Sequence, residues 1–428
     1  MYRALRLTYQ CDATVKSGCD GLVTLAERGT VTSQLDSAWS GFLSLGQVVS
    51  VYDSVGRKTL EKAKAGSTYI SVSQYSYDSA NRFSCRATRM NPATLGSLPS
   101  SACSLGTSGA AGPDRITAFY YDNADRLLKS TSGYGTSVAA DDAVYSYGND
   151  DELVTQADGK GNLTGISRDT FNRVTRVYFP TPANGSVSST TDYEQYSPDA
   201  NGNITQIRRR DGTLVNIGYD ALNQPVSGYN GASFSYDNAG RMTAANLSGL
   251  ALGFTWDALN RQITQTSPQG TITRQFDLNG NRTQLKYPDG YYVNYGYDAV
   301  AELTSISVPS SITLMNLAYD NLGRPSSISR YQGPSESLGY GSDLRLSSLG
   351  YSFADTAKNV TLNYTYNLAG QPVSATASNA AYRNTAARGG GSCLRKRWPE
   401  PLQRGGGELT HLRWALEPLI HRIAELWI

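Results

Sequence analysis

Histidine is nearly missing from this chain: there are two in 428 residues, His411 and His421, both within the last twenty positions. The long stretch before them therefore has no Ser-His or Cys-His pair with which to activate a nucleophile. Methionine (4) and phenylalanine (9) are scarce, against 29 tyrosines and 42 glycines. That bias suits strands with one wet end or face, because the tyrosine ring is apolar while its hydroxyl needs a partner. The formal charge of +2 is too small to set up a strong field for nucleic acid or a membrane surface. No apolar run approaches the roughly 20 residues that span a bilayer. The first residues, MYRALRLTYQCDATVKS, hold Arg3 and Arg6 but no uninterrupted apolar stretch, so no secretory signal is read there. Either the sequence is an interior piece of a longer protein or export uses another route. No P-loop, dinucleotide fingerprint or zinc-ligand spacing is present. Of the five cysteines, Cys11 and Cys19 lie close together, Cys85 and Cys103 bracket a Ser/Gly/Ala/Pro-rich insertion, and Cys393 is left over. Spacing alone leaves disulfides and free buried thiols both open, with Cys85–Cys103 the candidate bridge.

What is present is one sentence written many times. In Asn281–Glu302, Thr283, Leu285 and Tyr287 alternate with polar neighbours, and after Pro288-Asp289-Gly290 the alternation resumes at Tyr291, Val293, Tyr295 and Tyr297. A period of two with Asp-Gly between the halves predicts an antiparallel hairpin. Asp298 then predicts an Asx-type turn into the next strand. Asn203–Ala221 aligns without a gap on Asn281–Ala299, an offset of 281 − 203 = 78 residues, with 11 of 19 positions identical. Aromatic-Asp pairs between the copies divide that offset into four units of about twenty residues. Turns are expected at Asp211-Gly212, Asn230-Gly231 and Asp289-Gly290.

The unit reads aromatic-Asp-x-x-Gly/Asn-Arg. It stands complete at Tyr52, Asp53, Gly56 and Arg57; at Tyr77, Asp78, Asn81 and Arg82; at Tyr236, Asp237, Gly240 and Arg241; at Trp256, Asp257, Asn260 and Arg261; and at Tyr319, Asp320, Gly323 and Arg324. Partial copies include Tyr121-Asp122, Tyr219-Asp220 and Tyr297-Asp298. The Gly or Asn at the fourth place after the aromatic suits a left-handed backbone position. Over roughly residues 50 to 375 this pattern resembles the YD repeat of RHS-family proteins, and it is similar to the shells of insecticidal toxin-complex subunits and the barrel of teneurins. The resemblance implies an all-β, spiralling strip of hairpins that curls into a hollow shell around a C-terminal toxin. The family's shell ends in a DPxG-type segment where self-cleavage frees the cargo; no such segment stands in this sequence, so self-cleavage is not carried over.

Residues 1–45 are read as divergent or incomplete repeats, 46–378 as the array with a loop insertion at 85–113, and 379–428 as a Gly-rich basic tail. From Arg383 onward eight Lys or Arg face four Glu, a balance of +4, and no aromatic-Asp unit survives. Leu412, Leu416, Leu419, Ile423 and Trp427 follow helical spacing despite Pro418, so a short amphipathic helix is expected there, packing little against the sheet. Out-of-frame or recombined coding sequence explains the abrupt change more simply than a toxin tip.

The recurring aspartates are read as turn formers ahead of calcium ligands, since the calcium-loop-like starts at Asp199 and Asp277 lack a bidentate Glu at the twelfth place. Tyr291, Tyr292 and Tyr295 are candidate glycan contacts, weighed against cross-strand packing. The expectation is a non-enzyme with no cofactor and no metal. Its function is read as a structural fragment of a shell that encapsulates and delivers a toxin, in a secreted or cell-surface system. Its partners would be polypeptide cargo or the remaining shell segments, with neither nucleic acid nor a transmembrane segment involved. The alternative is a carbohydrate-binding or adhesion array that turns its tyrosines outward.

Overall fold

A computed structural model describes residues 2–11, 19–228, 231–247 and 249–382. The expected tail helix, Cys393 and Asn230 lie outside the described residues, as do the side chains of Cys11 and Cys19. The described chain is all-β. Strands β1 (Tyr2–Cys11) to β15 (Leu214–Asn216) form one sheet and β16 (Gly218–Tyr219) to β31 (Pro372–Ala377) a second, each strand pairing with the next in strict sequence order. Only Ile217 separates the two sheets, and its N–H donates to Thr205 O at 2.9 Å, so the strip runs on through the break. Strands already occupy part of residues 1–45, namely β1 and β2 (Cys19–Val31). Neither sheet closes on itself.

Alternating sequence becomes alternating burial: Ala140–Tyr147 is exposed and half-buried at successive residues. Both faces stay partly wet, as a period-two pattern of mixed polarity requires. In the reference hairpin Leu285 pairs with Val293 and Lys286 with Tyr292. Its turn is wider than a two-residue Asp-Gly loop. Tyr287 N–H donates to Tyr291 O (2.7 Å) and Gly290 N–H to Tyr287 O (3.0 Å), and only Gly290 of the pair is left-handed (φ 87°). This is the turn-plus-bulge form of hairpin connection.

The insertion is where a dry core gathers. Cys85–Thr88 complete a strand (Phe83–Thr88), and the connection to Arg115–Tyr121 folds back over it. Cys85, Ala87, Ala102, Ile116 and Ala118 pack together, and Cys85 and Cys103 are disulfide-bonded with Cα atoms 5.3 Å apart. Arg89, 2% exposed, donates to Asp114 Oδ2 (2.6 Å), Gln74 Oε1 (2.6 Å), Ser104 O (2.8 Å) and Ser101 O (2.9 Å). Asp114 also accepts from the N–H groups of Met90 and Gly106, both at 2.8 Å. A buried guanidinium is tolerable only when its donors are met this fully.

The strip also returns on itself. Consecutive turns fall on opposite edges of an antiparallel ribbon, so one edge carries the turns of the aromatic-Asp repeat and the other carries the remaining turns, that of Asp158 among them. The later aspartate turns meet the opposite edge of the first hairpins. Glu302 pairs with Arg3, Arg345 Nη2 donates to Ile70 O at 2.8 Å, Leu344 lies against Gly46, and Leu368 packs with Val72 and Leu95. A right-handed twist that accumulates from strand to strand brings a long ribbon round in this way.

Two outcomes test these local rules. Ala301 occupies the left-handed turn position (φ 65°), so Ala301→Gly is expected to stabilise by about 1 kcal/mol, whereas Gly290→Val should lower the melting temperature well beyond the exposed Lys286→Ala. Asp114→Ala leaves Arg89 buried without its anion and is expected to cost roughly 3 kcal/mol or more. Thermal unfolding of each variant beside the parent chain measures both.

Candidate functional site

The feature that recurs with fixed geometry is the aspartate turn and its link to the next hairpin. At Asp257 the backbone N–H donates to Arg261 O (3.0 Å), and Asn260 N–H donates back to Asp257 O (3.1 Å). Asn260 is left-handed (φ 62°). One carboxylate oxygen accepts from the N–H groups of Leu259 (2.9 Å) and Arg261 (3.0 Å), and the other accepts from Arg261 Nε (2.7 Å). The aspartate thus satisfies the turn's free amides and aims the arginine along the edge.

The arginine then reaches the next hairpin. Arg261 Nη1 donates to Asp277 O (2.9 Å), and its guanidinium lies 4.8 Å from the Phe276 ring centroid. The same step joins Arg82 to Asp122 O (2.7 Å) and the Tyr121 ring, and Arg324 to Leu344 O (2.9 Å) and the Tyr340 ring. In the reverse direction the repeat tyrosines and tryptophan donate to the carbonyl that follows the previous turn: Tyr77 Oη to Lys58 O (2.9 Å), Trp256 Nε1 to Met242 O (2.8 Å), Tyr297 Oη to Arg282 O (3.1 Å), and Tyr319 Oη to Leu303 O (2.9 Å). Tyr52, Tyr121, Tyr219 and Tyr236 make the equivalent bond. Every motif residue therefore has a partner in its own turn or in an adjacent hairpin.

These contacts set the electrostatics. The Asp237 carboxyl is held below the ordinary 3.8 by the Arg241 side chain and then by the Arg241 N–H, against a smaller opposing effect of burial. Asp122 is held low first by the Arg126 N–H, with partial burial opposing and the Arg126 side chain adding to the same effect. The carboxylates read as calcium-loop starts are committed in the same way: Asp277 accepts from Asn281 N–H (2.8 Å) and Asn281 Nδ2 (2.9 Å), and Asp199 from Asn203 N–H (2.9 Å) and Asn203 Nδ2 (3.1 Å). Among the described residues no group of three or more His, Cys, Asp or Glu is placed to hold a metal ion.

Tyr291, Tyr292 and Tyr295 do not assemble into a stacking platform. Tyr292 points to the opposite sheet face from the other two, as the period of two demands. Tyr295 is 8% exposed with its ring 4.6 Å from the Arg282 guanidinium, and burial pushes its hydroxyl pKa up. Only Tyr291, 36% exposed, offers appreciable surface on that face.

The return contact escaped the reading of the sequence, although one residue signals it. Glu302 stands where the motif has arginine, so it cannot pair with Asp298, and its carboxylate goes across the strip to Arg3. The Arg89–Asp114 pair gave no signal beyond lying at the two ends of the insertion.

Arg261→Ala removes an ion pair, a ring contact and a bond to the next turn together. It is expected to lower the melting temperature clearly, where the exposed Arg86→Ala does not. Because the turn carboxylates are held below 3.8 when folded, their contribution is complete above that value and is lost as pH falls through the lowered values. The melting temperature should stay level down to about pH 4 and drop below it; a titration by circular dichroism shows whether it does.

A sequence model described as RHS Repeat matches residues 256–292, which hold the Trp256 and Phe276 units. Over 213 residues, 48% of the chain, the sequence is 27% identical to the tRNA3(Ser)-specific nuclease WapA of Bacillus spizizenii, of which it covers 8%. Among solved structures, TcdB2-TccC3 without its hypervariable C-terminal region is similar over 87% of this chain at 13% identity and a TM-score of 0.49. The Tc holotoxin pore of Photorhabdus luminescens is similar over 81% at 12% identity and a TM-score of 0.45. The chain spans 18% and 19% of those two chains.

Proposed function

Because the chain is an RHS/YD-repeat protein, we propose that it is a structural module, a section of a β-strip shell that encloses a polypeptide toxin for delivery in a secreted or cell-surface system. The observation that carries this reading is the turn lattice joined to the return contact: hairpins lock to their neighbours through Asp, Arg and Tyr, and the ribbon seats one edge on the other between Arg3–Leu95 and Glu302–Leu368. Such a ribbon divides an inside from an outside with little dry core. The relative bearing a nuclease name is matched over only 8% of its length, and residues 1–382 contain no histidine. A match over so small a share of that relative does not bring its named activity to this chain. The module acts without catalysis, a cofactor or a metal, and its partners are the cargo polypeptide and further shell segments. The glycan-binding alternative has less support, with Tyr295 covered by Arg282.

Co-expression of the full chain with the polypeptide encoded beside it, followed by affinity pull-down, limited proteolysis and a glycan array, tests the reading. The expected result is retention of that polypeptide with no glycan signal. Since the strip is not closed, the retained polypeptide should stay open to protease until further shell segments are added. Strong glycan binding without cargo retention would overturn the proposal.

A further inference from the structure

The aspartate turns carry an apolar residue at the tip, one to three places after the aspartate position, and its exposure divides the array in two. In three of the later turns, those at Asp320, Gly341 and Asn367, it is covered by the first hairpins, while Val300 at the Asp298 turn stays 59% exposed. Leu368 is 8% exposed and packed with Val72 and Leu95, Leu344 lies where a Cβ on Gly46 would come within 2.5 Å of it, and Leu322 lines a recess with Leu45 and Ala65. In the earlier turns the matching side chain stands in solvent: Val55 is 68% exposed, Phe171 79%, Leu222 74%, Leu259 67% and Leu278 101%. The turn itself does not need an apolar residue there. Its bonds come from the aspartate, the left-handed residue and the arginine, and Ala80 or Asn201 fills the same place elsewhere. Large apolar side chains at a position with no role inside the hairpin, covered at three of the four turns where the ribbon meets itself, are made for contact between edges.

We infer that the free aspartate edge, from Asp53 to Asn281, is a docking edge, and that its occupant is a second copy of this chain, seating the opposite edge of its own ribbon on these tips. The return contact within one chain shows what the edge accepts: the turns and strand ends of Ser44–Gly46 and Lys64–Ile70, with the Ile70 carbonyl taken by Arg345. The free edge continues that interface along the same ribbon in the same register of turns. The contacts named fall on residues 3–95 of the opposite edge, so the later hairpins still offer theirs. One chain therefore carries both halves of the contact. It is head-to-tail and not two-fold, and it propagates from copy to copy. Exposed apolar tips recurring along one edge are the kind of surface that such a contact covers. The inference stands on the geometry of the edges and not on what the ribbon encloses, so its failure leaves the cargo reading intact.

Sedimentation velocity of the purified full chain across the micromolar range tests it. The wild-type mass should climb with concentration from 46.2 kDa to multiples of it. The double variant Leu222→Asp, Leu259→Asp should remain at the single-chain mass with an unchanged melting temperature. Val144→Asp, on a strand face 40% exposed, should associate like the parent. A minor fraction of the double variant mixed into wild type should shorten the assemblies, because it still offers its opposite edge and ends each stack it joins. The inference is overturned if the wild type stays a single chain throughout, if the double variant associates as the parent does, or if Val144→Asp loses association equally.

Discussion

An aspartate that satisfies two backbone amides and holds an arginine in the same turn is the constraint on which this ribbon depends. Two strands of six or seven residues are marginal alone in water. The carboxylate of Asp257 fixes one turn, and the arginine it orients fixes the distance to the next by bonding Asp277 O. The tyrosine or tryptophan of each unit returns a bond to the hairpin before it. Stability is then a sum of nearest-neighbour couplings and not the property of one central core.

That organisation explains the composition. A ribbon wet on both faces needs few dry side chains, and tyrosine meets the mixed demand because its ring packs while its hydroxyl finds a carbonyl. The insertion breaks the rule and shows its cost. Where the chain does bury a compact cluster, it also buries Arg89, and two backbone carbonyls, Gln74 and Asp114 must converge to satisfy it. The disulfide from Cys85 to Cys103 fastens the same segment, closing a loop whose freedom in the unfolded chain is thereby reduced.

The hairpins and their turns were legible in the sequence because both are local. A period of two and a left-handed residue three places after each aspartate are written within a few positions, and the 78-residue self-alignment repeats them in register. The turn's width was less legible, since Asp289-Gly290 fits a two-residue loop as well as the wider one observed, in which Tyr287 N–H bonds Tyr291 O and Gly290 N–H bonds Tyr287 O. Side-chain burial within a repeat was legible only in part. Tyr291 and Tyr295 look alike in the sequence, yet Arg282 covers one and not the other. The partner in the return contact was not legible, for although Glu302 breaks the motif, Arg3 lies 299 residues away and twist accumulated over many strands decides which turns meet.

The motif's departures say where the information in this array sits. Asn367 replaces aspartate and still accepts from the N–H groups of Ala369 and Gln371, and Gly148 abandons the side chain altogether while Glu152 accepts from Asp150 N–H in its place. The turn survives because what it requires is an acceptor and a left-handed residue, which several side chains supply. At the arginine place a side chain that can still donate keeps the link to the next turn, as Gln224 does to Gly240 O and Asn203 to Asn223 Oδ1, whereas the carboxylate of Glu302 cannot donate and pairs with Arg3 on the far side of the strip. Substitution at the aspartate edge is therefore absorbed locally wherever a donor or acceptor of the right kind remains, and is redirected across the strip where the sign of the charge is reversed, as at Glu302.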